Sequence, residues 1–429
     1  MIGGHRYRLF GAREYKRVGS LSPRLRNAEG VPLGAPASVS LTPSDDLSRD
    51  VYGVLGMPID AVDLDAVVRQ LGAVMVRDVP FLMSTPNLNF LVTSQINPEF
   101  RESLLRSDLC AVDGVPIVWI SRLLGVPIRM RVAGSDIFDS LKAEKSRPAK
   151  VFLFGGAEGV GETASKVLNA QSNGVVCVGS LYPGYVSVEE MSTKAIIDTI
   201  NASGAGFLVV SLGAQKGQSW LLHNHHRLQI PVRSHLGAAI NFQAGLLKRA
   251  PLFVRKFGLE WLWRIKQEPY LWRRYLQDGL VLLGLMLTSV LPLVLGKIWR
   301  RARGAGNVGL DISKNSLGRT VKITLMGGAT ANQVERAIPV LREAIAEAGS
   351  LTIDISKLRQ IDARFFGLLL MVRKQLLERG QMLEIAGASR EIKKTFSLNR
   401  FSYLLDPEDF SALPQKLRPV LQRPEVAVD

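Results

Sequence analysis

Five short stretches carry residue types that could bind or activate a polar substrate. Thr85-Pro-Asn87-Leu-Asn89 sets a hydroxyl and two amides directly after an apolar run at 81–84. Such groups bind sugar hydroxyls or a nucleobase, and serve equally as a turn and helix cap. Asp113-Gly114 follows the apolar run 109–112, so a carboxylate stands where it could take a proton from a hydroxyl, or cap a helix beginning near Ile117. Arg131-Val-Ala-Gly134-Ser135-Asp136 joins a cation to a glycine turn and a helix start whose free N–H groups suit a phosphate, or to a plain loop-to-helix entry. Gly155-Gly156-Ala-Glu-Gly159-Val-Gly161 also follows a strand-like run and precedes a helix. It fits neither GxGxxG nor GxxxxGK[ST], so it specifies no dinucleotide or nucleoside triphosphate. Gln215-Lys216-Gly217-Gln218-Ser-Trp220 supplies amides, a cation and an indole suited to a sugar or uracil, or to a solvated turn. His223, His225 and His226 share one segment with no HExxH pattern or matched acid, so neither a metal site nor a cofactor is expected.

These groups need a scaffold that delivers them to one edge. From Val51 to about Asn241, short apolar runs such as 150–154, 175–179 and 207–213 end in Gly, Asp, Ser or Thr and alternate with longer amphipathic stretches. Buried parallel strands read this way, and an α/β sheet with helices on both faces follows. The carboxyl edge of such a sheet is where ligands sit. Residues 1–50 mix Arg and Lys with Gly, Pro and Ser without sustained apolar periodicity, and read as a flexible basic arm. They show no 7–15-residue apolar core of an export signal.

The character changes between positions 248 and 303, where twelve Lys/Arg face three acids and four of the six tryptophans gather around an uncharged apolar stretch. Basic residues and Trp bracketing an apolar segment describe a membrane interface. The stretch 280–295 is 16 residues long, short of the ~20 a spanning helix needs, and Pro292 falls in its last turn. Both flanks are basic, so no charge asymmetry drives one end across. A re-entrant or in-plane segment is expected, with a core helix as the alternative. Residues 304–317 read as a linker, 318–410 as a second, smaller α/β domain, and 411–429 as a loose tail.

The chain is long enough for two or three domains: 429 residues carrying a net charge of +16, with 47% hydrophobic residues. That is too apolar for a disordered polycation. Cys110 and Cys177 lie far apart without metal-ligand spacing, which fits a reducing cytoplasm. The positive charge requires an acidic partner. The cations lie among Trp and an apolar run and form no nucleic-acid reading module, so an anionic membrane surface and nucleotide-sugar phosphates are favoured over nucleic acid.

Taken in order, Thr85-Pro-Asn87, Asp113-Gly114, the Arg131 to Asp136 turn and the series Gly245-x-x-Lys248-Arg-Ala-Pro, Gly258-Leu-Glu-Trp261, Arg264, Glu268-Pro269 and Arg273-Arg274-Tyr275 resemble the WecG/TagA/CpsF glycosyltransferases over roughly residues 51–280. The resemblance implies a Rossmann-like enzyme over 51–247 with a basic, membrane-proximal appendage over 248–303. Such an enzyme moves N-acetylmannosamine or a related sugar from a UDP donor to an undecaprenyl-diphosphate-linked acceptor, with inversion and without a metal. It makes Asp113 the general base and Thr85 and Asn87 its polar neighbours. Arg131, Arg264, Arg273 and Arg274 become diphosphate ligands, a role guanidinium groups can fill in place of a metal. Two departures stand out. Gln215-Lys216-Gly217-Gln218 replaces Pro-Lys-Gln-Glu, with Gln218 expected to substitute as a substrate ligand, and Ile240-Asn241-Phe242 replaces Phe-Asp-Phe.

Asp354-Ile-Ser356-Lys-Leu-Arg-Gln-Ile361-Asp362 and the following helix resemble STAS domains over roughly 318–405. Ala363 stands where phospho-switching members carry Ser or Thr, so a docking role toward a protein partner is expected. The combined expectation is a transferase on the cytoplasmic face of the inner membrane, serving exopolysaccharide or cell-surface polymer synthesis. The alternative is a catalytically weakened, membrane-tethered interaction protein acting through its STAS-like domain.

Overall fold

The computed structural model describes residues 45–144, 147–171, 174–256, 258–302 and 308–406. The first domain opens with an antiparallel hairpin, β1 (Val51–Val54) and β2 (Met57–Asp60). Six parallel strands follow: β3 (Phe81–Ser84), β4 (Leu109–Cys110), β5 (Ala149–Gly155), β6 (Val175–Leu181), β7 (Phe207–Ser211) and β8 (Val232–His235), in the order β4-β3-β8-β7-β5-β6. Alternation along the central strands explains why both faces are covered. Val151, Leu153 and Val209 enter one core with Leu71, Phe138 and Leu168. Phe152, Phe154, Leu208 and Val210 enter another with Ile197, Trp220 and Leu221. A strand buried on both sides reads as an unbroken apolar run, which is what the sequence shows at these places.

The second domain carries β9 (Leu310–Leu317), β10 (Thr320–Ala329), β11 (Ser350–Ile361) and β12 (Leu383–Ala386), ordered β12-β11-β10-β9, with β9 antiparallel to β10 and the other pairs parallel. Residues 310–317, expected as linker, are therefore an edge strand. Only Leu310 of β9 is buried and Ile312 half-buried, so its inward pattern is too short to stand out among polar residues. The sequence boundaries at 51–247 and 248–303 remain convenient divisions. The tail at 411–429 lies outside the described residues.

The arm expected over 1–50 lies outside the described residues up to position 44, but 45–50 are built into the fold. Leu47 is fully buried, and Asp46 and Arg49 pair with each other at 2.6 Å. These residues and the β1–β2 hairpin pack on the helix Ala363–Glu378 of the second domain. Val51 and Leu105 share a core with Phe365, Phe366 and Leu369. Gly367 allows the approach, since a Cβ there would overlap the Val51 carbonyl. Three cations of this helix are buried and paired across the junction. Arg364 donates to the carbonyls of Val51 and Arg49, Arg373 pairs with Glu102 at 2.7 Å, and Lys374 contacts Asp108 at 2.8 Å and Asp46 at 3.1 Å. Asp60, held by Arg49 at 2.8 Å, accepts the Cys110 N–H, and Asp108 accepts the Leu82 N–H. The junction thus reaches directly into β3 and β4.

Between the two sheets, the helices Leu252–Lys256 and Glu260–Gln267 lead into one helical run, Pro269–Arg300, of 32 residues, long and apolar enough by length and composition to cross a membrane. Pro292 does not interrupt it. A π-turn at Met286–Val290 lies just ahead of the proline, where the Leu291 N–H reaches back to the Met286 carbonyl, and this widening lets the helix continue through a residue that cannot donate. One side of the run, with Leu285 and Val290, packs with Ile117, Val118 and Ile120 of the first domain. From the second domain, Arg400 donates to the hydroxyls of Ser289 and Thr288 at 3.1 Å.

Candidate active site

The carboxyl ends of β3 and β4 bring the first candidates together. Thr85 is buried just past β3, and Asn87 caps the helix Leu88–Ile96, its side-chain oxygen accepting the Phe90 N–H at 3.2 Å. The cap uses only the oxygen of that amide, which leaves its NH₂ group to serve a ligand. Asp113 leaves β4 beside this turn, and its N–H donates to the Pro86 carbonyl at 2.9 Å. The helix Val115–Leu124 begins two residues later. The loop carrying Arg131 is tied to the same strand end by the Val132 N–H, which donates to the Val112 carbonyl at 2.6 Å.

The electrostatics of Asp113 are set by what surrounds it. Burial raises its pKa, and the charges of Glu260 and Asp136 raise it further. The Arg131 guanidinium and the Gly134 N–H oppose them, leaving the carboxyl at about 7. A carboxylate titrating near neutrality can accept a proton and pass it on, and poorly solvated, charge-coupled acids of this kind mark sites of chemistry. Glu260 binds both terminal nitrogens of Arg131. Arg249 bridges Asp136 and Asp139, and Arg255 approaches Asp136 at 3.9 Å. The basic appendage is therefore fastened by ion pairs to the turn that begins the helix Gly134–Ala143, beside the carboxylate.

The other expected ligands are placed differently. Arg264 lies one helical turn beyond Glu260, paired with Glu268 at 2.5 Å and with its guanidinium carbon 5.6 Å from the centre of the Phe242 ring. Arg273 and Arg274 are exposed at the start of the long helix, their guanidinium carbons 5.5 Å from the Trp272 ring centre and 5.2 Å from that of Tyr275. In this conformation neither pairs with the Asp113 cluster among the described residues. Gln218 lies inside the fold. It is fully buried, and its amide nitrogen donates to Ser84 Oγ at 3.0 Å. The preceding Gly217 lets the helix Ala214–Asn224 close on β8, where any Cβ would overlap the His235 ring, and this carries Gln218 into the core. Its amide nitrogen joins helix to strand, while its side-chain oxygen has no hydrogen-bond partner among the described residues. Glu260 and Asp136, which act on the Asp113 carboxyl, were not among the expected site residues; the signal was an acid kept inside a segment of twelve cations and an acid at a helix start.

Residues 52–293 match the model of the glycosyl transferase WecG/TagA/CpsF family, and residues 312–406 match that of the Mlab STAS domain. The N-acetylglucosaminyldiphosphoundecaprenol N-acetyl-beta-D-mannosaminyltransferase of Bacillus spizizenii is 34% identical over 184 residues, covering 42% of this chain and 68% of that protein. The protein of the same name from Staphylococcus aureus strain MRSA252 is 28% identical over 192 residues, covering 42% and 72% respectively. The α/β sheet, the edge-bound carboxylate and the family match converge, and the chain belongs to the WecG/TagA/CpsF glycosyl transferases, with a STAS domain joined to its carboxyl side.

Proposed function

We propose that the chain transfers an N-acetylhexosamine-type sugar, N-acetylmannosamine-like, from UDP to an undecaprenyl-diphosphate-linked saccharide, with inversion and without a metal. The reaction belongs at the cytoplasmic face of the inner membrane, in the synthesis of an exopolysaccharide or cell-surface polymer. The observation that carries this reading is Asp113, held near neutrality at the carboxyl edge of the sheet beside Arg131. The relatives' names support the sugar and the acceptor class.

In the proposed step an acceptor hydroxyl attacks the anomeric carbon of the donor sugar while its proton passes to Asp113. The bond from that carbon to the phosphate oxygen breaks, and UDP leaves with the electron pair. Arg131 stabilises the charge growing on the diphosphate once Glu260 has been displaced from it. Release of UDP from a panel of UDP-sugars, with and without an undecaprenyl-diphosphate-sugar, tests the reading. Acceptor-dependent release from one donor supports it. Release from none leaves the catalytically weakened interaction protein, which the altered Gln215–Ser219 stretch and Asn241 favour and the retained Asp113 and Lys248–Tyr275 series oppose.

Glu260 also sets the pH at which the base works. Its negative charge raises the pKa of Asp113, and its hold on Arg131 keeps that cation partly engaged elsewhere. Glu260→Gln removes the charge and frees the guanidinium, and both effects lower the Asp113 pKa. The acid limb of the rate profile should therefore move to lower pH. Initial rates across pH 5–9 measure this, and an unmoved limb excludes Glu260 from the electrostatics of the base.

A further inference from the structure

The long helix carries a face that nothing among the described residues covers. Leu276, Leu280, Leu283, Leu287, Leu291 and Leu295 recur every three or four residues and are 46–61% exposed, forming one stripe on the side away from the packed Leu285 and Val290. The helix Val115–Leu124 lies beside it. Val118 and Leu124 pack in the same cluster as Val290 and Val294, and Lys297 abuts Gly125 at the end of that helix. On that neighbouring helix Trp119 and Leu123, four residues apart and so on one face, are 57% and 47% exposed. Exposed cations flank these residues. Arg273, Arg274 and Arg300 are exposed at the two ends of the stripe, and Arg122 and Arg129 near the end of the shorter helix.

A crossing helix at this point would put the two domains on opposite sides of a bilayer. That is incompatible with their junction, in which Leu47, Val51 and Leu105 share a core with Phe365 and Phe366 and Lys374 is 1% exposed between Asp46 and Asp108. The STAS domain also grips the helix midway, through Arg400 on Thr288 and Ser289.

We infer that the leucine stripe lies flat in one leaflet of an anionic bilayer together with Trp119 and Leu123 of the transferase domain, and that the STAS domain holds the helix in that plane with both domains on the same side. This rests on the reading of a membrane-associated transferase and adds a second, transferase-borne contact to it. Because the helix bearing Trp119 starts two residues after Asp113, insertion of its far end sets the base about 15 Å or less from the leaflet, within reach of a lipid-linked diphosphate. Apolar side chains entering the acyl boundary while cations meet the headgroups is the arrangement expected of an interfacial helix.

Flotation of the full-length chain with phosphatidylcholine vesicles, with and without 30% phosphatidylglycerol, tests the surface. Binding should require the anionic lipid, and Trp119→Ser with Leu123→Ser should reduce it about tenfold. Leu280→Ser with Leu287→Ser should do the same, so a folding failure in one pair does not decide the matter. Thermal melting of each variant identifies such a failure. Full binding by a folded Trp119/Leu123 variant overturns the composite surface, as does a dimer buried through these residues that persists with vesicles present. Sidedness is read with an impermeant maleimide on Lys194→Cys and Ser316→Cys in oriented membrane vesicles, Cys110 and Cys177 being buried. Both positions should react from the same side; reaction from opposite sides overturns the in-plane helix. Normal vesicle binding without UDP release from any donor would sink the transferase reading and leave this surface standing.

Discussion

Asp113→Asn lowers the rate of transfer by about 10²–10⁴-fold, the range expected when a general base is lost, and leaves UDP binding intact. The asparagine matches the carboxylate in shape, so the Asp113 N–H still donates to the Pro86 carbonyl and the loop keeps its place. The pH profile provides the second readout. A base must be deprotonated to act, so the wild-type rate rises as pH passes upward through about 7, where burial and the neighbouring acids have set the carboxyl. The residual activity of Asp113→Asn should lose that limb. Single-turnover rates and calorimetric UDP titration separate the two effects, and a variant that turns over at the wild-type rate removes Asp113 from the chemistry.

Lys374→Met is expected to have the largest effect on stability. The ammonium sits against Asp108 and Asp46 with almost no water. Burial alone would raise the Asp108 pKa, but the Lys374 charge and the Leu82 N–H outweigh it and hold the carboxyl below its ordinary value. Removing the cation leaves the half-buried Asp108 without its ion pair and the buried Asp46 with Arg49 alone, a loss of about 3 kcal/mol. Urea denaturation followed by tryptophan fluorescence measures it. Adding Asp108→Asn should return part of the loss, because the uncompensated charge is then gone. A midpoint unchanged by Lys374→Met would show that the Lys374 ion pairs add nothing to the stability of the junction.

Much of the catalytic domain was legible because buried parallel strands are written as apolar runs, and because Thr85, Asn87 and Asp113 follow such a run or cap a helix while Arg131 stands in the loop just ahead of one. What escaped depends on pairing between distant segments. Asp46 and Arg49 read as part of a polar arm, since nothing local says that Lys374 and Asp60 await them. Arg373 and Lys374 directly after the apolar run 365–372 were the visible clue, as cations are buried only when paired. Gln218 looked like a ligand because an amide beside a cation usually is solvated; Gly217 brought it inward. Pro292 looked like a stop because the π-turn that accommodates it has no sequence signature of its own.

The hydrogen bond from Arg364 to the Val51 carbonyl joins residues 313 positions apart, and this separation has a consequence during synthesis. At about 5–20 residues per second, roughly 15–60 s pass between the emergence of the first hairpin and that of the helix that covers it. Through that interval Leu47, Val51, Leu105 and the acids around them have no lid, and the strands that present Asp113 lack their outer brace. A ribosome that stalls before position 374 releases a chain with an exposed apolar seam and unpaired carboxylates, a ready substrate for proteases. Translation to the end of the STAS domain thus becomes a condition for a stably folded first domain.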